Sequence, residues 1–64
     1  MNLTGINLSG ADFTGAYLSK AQLVNANLSN ANFTNAVLIQ ANLRGANMTN
    51  AIMTNANTLG VNRS

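Results

Sequence analysis

Ala26-Asn27-Leu28-Ser29-Asn30 is followed at once by Ala31-Asn32-Phe33-Thr34-Asn35, so one five-residue unit is written twice in succession. Laid along the rest of the chain, that unit keeps register from Met1 nearly to Ser64. A large apolar residue marks the centre of each unit: Leu3, Leu8, Phe13, Leu18, Leu23, Leu28, Phe33, Leu38, Leu43, Met48 and Met53, with Thr58 breaking the series. Two residues before the centre stands Ala, without exception from Ala11 to Ala56. Between the two lies mostly Asn, replaced at Asp12, Tyr17, Gln22, Val37 and Ile52. Ser or Thr usually follows the centre, and Gly or Asn closes the unit except at Lys20 and Gln40.

A period of five matches neither the helical period of about 3.6 residues nor the two-residue alternation of a strand. Within a unit, however, Ala and the centre are two apart, which puts both on one face of a short extended segment while the Asn between them points away. Gly and Asn tolerate positive φ, so the closing residue marks a tight turn in every unit. The chain is therefore expected to make a short strand, turn a corner and repeat. Stacked coils, at a spacing of about 4.8 Å, would pair through parallel ladders and satisfy backbone groups that one coil leaves open. Such a chain is a solenoid with its alanines and large residues inside. The departures point to its circumference. Phe13 and Phe33 are twenty residues apart, as are Lys20 and Gln40, and both pairs become vertical neighbours if four units close a coil.

Ala26-Asn27-Leu28-Ser29-Asn30, Ala31-Asn32-Phe33-Thr34-Asn35 and Ala41-Asn42-Leu43-Arg44-Gly45 resemble the pentapeptide-repeat family, and the resemblance covers essentially the whole chain. It implies an all-β fold, a right-handed quadrilateral parallel β-helix with four pentapeptides per coil, with Ala filling the corners and Leu or Phe the middle. On that reading residues 1–64 form a single domain of about three coils. The family's members mostly bind partners. Some resemble DNA electrostatically and inhibit topoisomerases, but such mimicry needs a strongly acidic surface. This chain has one acidic residue, so that role is not carried over.

Composition narrows the function classes. A chain of 64 residues is near the size at which one hydrophobic core only just offsets the entropy of ordering the backbone, so its stability must come from something regular. Disorder normally combines low hydrophobicity with high net charge, whereas this chain is 47% hydrophobic with a net charge of +2. It contains no Cys and no His, Asp12 is its only acid and Tyr17 its only phenol. Without a base, a carboxylate pair or a ligand cluster, the many Ser and Thr hydroxyls have nothing to activate them, and neither an enzyme nor a cofactor is expected. Lys20, Arg44 and Arg63 are too few to track a nucleic-acid backbone. Polar residues interrupt every apolar run, so no membrane span is expected. Met1-Asn2-Leu3-Thr4-Gly5 also lacks a basic segment followed by an apolar block, and the expected location is cytoplasmic. Triplets such as Asn27-Leu28-Ser29 match the glycosylation pattern, but the repeat generates them automatically. A chain so crowded with them suits a bacterium or a cytosol better than a eukaryotic secretory pathway.

Function is left to the surfaces. The Leu18 and Leu38 side of the coil turns Tyr17, Ser19, Val37, Ile39 and Leu59 outward beside Lys20 and Gln40. Tyr17, Lys20, Val37, Ile39 and Leu59 thus form the candidate interaction face, because a contiguous apolar strip on a small domain marks a contact surface. Elsewhere Thr14, Thr34 and Thr54 form a column beside Asp12, Asn32 and Ile52, which resembles an ice-binding face with one of its two Thr columns missing. The ends of a parallel stack leave backbone unpaired, which favours end-to-end association. Met1, Ile6 and Val61, standing where other units have Ala, predict bulkier closing layers. The expected role is a non-enzymatic protein-interaction or scaffold module that binds a protein partner or itself. The alternative is a structural spacer or a surface-binding stack, with ice binding as its sharpest form.

Overall fold

In a computed structural model, which describes residues 1–63, the last residue of every five-residue unit takes a positive φ, from 58° at Asn55 to 73° at Gly10. Across each corner the first N–H of the next unit donates to the carbonyl of the centre, as from Ala31 to Leu28 at 3.1 Å and from Ala36 to Phe33 at 2.9 Å. A four-residue turn closed this way, with positive φ at its third residue alone, is a type II turn, which explains the Gly and Asn at that position.

The turns wind the chain into a parallel stack. Every bridge joins residues twenty apart: Asn2 to Gln22 to Asn42 to Asn62, Asn7 to Asn27 to Asn47, Asp12 to Asn32 to Ile52, and Tyr17 to Val37 to Asn57. The sequence predicts short strands, whereas the pairing consists of single-residue bridges. The reason is the turn frequency. A corner every five residues leaves a side three residues long, and only its middle residue is flanked on both sides by ladder hydrogen bonds.

The unit Ala26–Asn30 shows how little backbone is left unsatisfied. Ala26 N–H closes the preceding turn on Leu23, Asn27 N–H donates down to Ile6, and Leu28 and Asn30 N–H donate up to Asn47 and Thr49, at 2.8 to 3.1 Å. The fifth donor, Ser29 N–H, is taken by the side-chain oxygen of Asn27 at 3.1 Å. The recurrent Asn is therefore a structural part of each side: it accepts the one N–H that the ladder does not reach.

The core lies in the middle coil. Ala21, Leu23, Ala26, Leu28, Ala31, Phe33, Ala36 and Leu38 are at most 1% exposed, and Leu18, Ala41 and Leu43 extend this cluster above and below. Phe33 stacks on Phe13 with ring centroids 5.0 Å apart and planes 9° apart. Leu3, Leu8 and Phe13 on one side and Met48 and Met53 on the other are half-buried against it, because each has a neighbouring coil on one side only. The expected closing layers form in part. Val61 packs on the core, whereas Met1 and Ile6 stay 68% and 40% exposed, since no further coil covers them in these residues.

Candidate interaction face

The side of the stack that carries Tyr17, Val37 and Asn57 differs from the others in ways that follow from its residues. Tyr17 and Val37 occupy the position that Asn holds in most units and are joined in one bridged column. Tyr17 is 81% exposed and Leu59 71%, whereas Val37 and Ile39 are half-buried, so the apolar strip is broad at its two ends and shallower between them. Lys20 and Gln40 are exposed at the corner next to it. Gly60 is the third residue of that corner, and a Cβ placed on it would meet Cγ of Gln40 at 3.2 Å. The long Gln40 side chain therefore rises across the glycine.

Two kinds of local stabilisation are missing around Tyr17 and Val37, though not at Asn57, whose side-chain oxygen accepts Leu59 N–H at 3.2 Å. From Asn2 to Asn57, each Asn or Asp that precedes a centre takes with its oxygen the N–H two residues on, as Asn7 does for Ser9 at 3.1 Å and Asn47 for Thr49 at 3.0 Å. Tyr17 and Val37 offer no such oxygen, and among the described residues no acceptor meets the N–H of Ser19 or of Ile39. Lys20 and Gln40, at φ of 62° and 61°, also hold the left-handed region that Gly or Asn occupies at every other corner. For a residue with an ordinary side chain that conformation costs about 1–2 kcal/mol. Gln22 and Ile52 also lack the Asn oxygen, but they stand singly on two other sides. The sequence reading has the Asn residues only point away from the core. Their role as acceptors was missed, although Asn two residues before a backbone donor is the signature of an Asx turn.

The Thr column is in register, since Asp12, Asn32 and Ile52 are bridged one above another. Two of its three hydroxyls are engaged: Thr14 Oγ1 donates to Asp12 Oδ1 at 2.7 Å and Thr34 Oγ1 to Asn32 Oδ1 at 2.6 Å. The bond from the Thr14 hydroxyl, followed by that from its backbone N–H, holds the Asp12 carboxyl below its ordinary value. Because the folded pKa is the lower one, Asp12 stabilises the fold above its unfolded pKa of about 3.9, and this contribution is lost as pH falls through the folded value. Asp12→Asn should keep both bonds, as Asn32 does, and remove the acid-sensitive part of the stability. Thermal melts between pH 2 and 7 check this, and a variant as acid-sensitive as the parent contradicts it. The described residues contain no group of three or more His, Cys, Asp or Glu that could hold a metal ion, and no helix long and apolar enough to cross a membrane.

The sequence profile for pentapeptide repeats (8 copies) matches residues 1–30 and 26–57. No curated protein matches significantly. Among solved structures, the chain is similar to the pentapeptide repeat protein Rfr23 from the cyanobacterium Cyanothece 51142, with 40% identity and a TM-score of 0.97 over 98% of this chain and 43% of that one. It is also similar to HetL, a pentapeptide repeat protein involved in heterocyst differentiation regulation from the cyanobacterium Nostoc sp. strain PCC 7120. There the identity is 27% and the TM-score 0.51, over 88% of this chain and 38% of HetL. The chain thus spans less than half the length of either, and their fold makes it a right-handed β-helical solenoid.

Proposed function

The chain belongs to the pentapeptide-repeat family, and on that premise we propose that it is a non-enzymatic protein-interaction or scaffold module whose contact surface is the face of Tyr17, Lys20, Val37, Ile39 and Leu59. The fold serves this role as a rigid prism, taken as quadrilateral with four pentapeptides per coil and about three coils; the twenty-residue bridging register supports that geometry. The observation that carries the reading is that two unrelated losses of local stability coincide on one face. Missing Asn acceptors at Tyr17 and Val37 adjoin left-handed Lys20 and Gln40. A repeat that improves by reverting to its own consensus, yet keeps four departures together, trades stability for a surface.

Self-association is one form of this reading, either through the face or end to end. The spacer or ice-binding alternative rests on the Thr14, Thr34 and Thr54 column, and the engagement of Thr14 and Thr34 hydroxyls with their neighbours weighs against it.

The test is the double variant Tyr17→Ser, Ile39→Ser, with molar mass read by light scattering and partner capture by pull-down from the native host. Loss of association or of capture is expected. If both are unchanged while the fold is intact, the face is not the contact surface.

A further inference from the structure

Resting on the face assigned above, we infer that its partner presents acidic side chains on an extended segment, whose carboxylates take the outward N–H groups of Ser19 and Ile39. The chemistry has a template inside the molecule. At the equivalent point of the neighbouring unit, the Asp12 carboxylate accepts Thr14 N–H at 3.0 Å and Thr14 Oγ1 at 2.7 Å. In most other units an Asn oxygen accepts the same N–H. On the Tyr17 face the two successive donors remain while their acceptors are replaced by a phenol ring and an isopropyl group. An oxygen supplied from outside would restore the missing bond, and an ionised one makes it charge-assisted, about twice as strong as a neutral bond.

Spacing and charge fit such a segment. Ser19 and Ile39 belong to sides bridged through Tyr17 and Val37, so their amides lie one coil apart, about 4.8 Å. Alternate side chains of an extended chain project to the same side about 6.6–6.8 Å apart, a difference that the rotatable bonds of Asp or Glu absorb. Residues flanking the two carboxylates, where the segment leaves its extended register, can cover Tyr17 and Leu59, the two large apolar side chains that this face exposes most. Lys20 stands at the adjacent corner on a chain of net charge +2, and the chain's only acid, Asp12, is on a different side. The field at this face therefore favours an acidic partner over a basic one.

The probe is a blocked peptide, acetyl-Leu-Asp-Leu-Asp-Leu-amide, titrated into the full ¹⁵N-labelled chain, with the Asn counterpart as control. Downfield movement of the Ser19 and Ile39 amide protons is expected with the Asp peptide, at least tenfold weaker binding with the Asn peptide, and weakening by added salt. The variant Tyr17→Asn, Val37→Asn fills both donors from within and should abolish those shifts while remaining folded. Equal binding of the two peptides, or no movement of these two resonances, overturns the inference. It is separable from the face itself: if Tyr17→Ser, Ile39→Ser loses its association or partner but the Asp peptide moves neither amide, the face stands and the acidic partner falls.

Discussion

Phe33→Ala should lower the stability of the chain by about 3–5 kcal/mol, the largest loss expected from any single truncation. Phe33 is fully buried in the middle coil and has ordered neighbours above and below, including the stacked ring of Phe13 at 5.0 Å. The Ala and Leu residues around it belong to a stack whose backbone is fixed coil by coil through hydrogen bonds, so the cavity cannot collapse without breaking register. For a domain of this size total stability is on the order of 3–10 kcal/mol, so the loss is a large share of the whole. The melting temperature should fall by about 12 °C or more. Leu28→Ala, equally buried, should cost roughly 3 kcal/mol, and Phe13→Ala less, because Phe13 has a coil on one side only. Circular-dichroism melts of the three variants give the ranking. A Phe13 variant as damaged as the Phe33 variant would mean that the middle coil is not where stability resides.

Much of this arrangement is legible before any coordinates, because two local rules coincide in every unit. Ala and Leu two apart fix which side chains face inward, and Gly or Asn at the fifth position fixes where the chain turns. Phe13 with Phe33, and Lys20 with Gln40, then give the twenty-residue register that the bridges display. What the pattern conceals is the third rule. Asn27 has an inward alanine on one side and an inward leucine on the other, so it reads as a solvated residue, and its acceptor role follows only when the donor at Ser29 is counted. That same count turns Tyr17 and Val37 from exposed apolar residues into positions where a hydrogen bond is missing. Burial within the face is also not a matter of alternation alone. Val37 and Ile39 point outward yet are half-buried, being flanked by coils on both sides, whereas Tyr17 and Leu59 in the outer coils stay open. Strand length was misjudged for a related reason: the hydrophobic pattern shows which residues share a face but not how much of a three-residue side remains once both its ends are committed to turns.

Restoring the repeat at its departures should have the second large effect, and in the opposite direction. In the variant Tyr17→Asn, Lys20→Asn, Val37→Asn, Gln40→Asn, the two new oxygens at positions 17 and 37 can accept Ser19 and Ile39 N–H, each worth about 0.5–1.5 kcal/mol. At positions 20 and 40, Asn adopts the left-handed conformation more readily than Lys or Gln, relieving part of a cost of about 1–2 kcal/mol per residue. Against this stands the partial loss of apolar burial at Val37, which costs less than the 1.5–3 kcal/mol or so of a fully buried side chain. The four changes together should raise stability by about 2–3 kcal/mol. Because Tyr17, Lys20 and Val37 belong to the proposed contact, the same variant should lose its partner. The face of Tyr17 and Val37 thus keeps departures that weaken the fold. Equilibrium urea unfolding of the fourfold variant beside the parent chain decides this: a higher midpoint at unchanged slope is predicted, and a midpoint equal to or below that of the parent would contradict it.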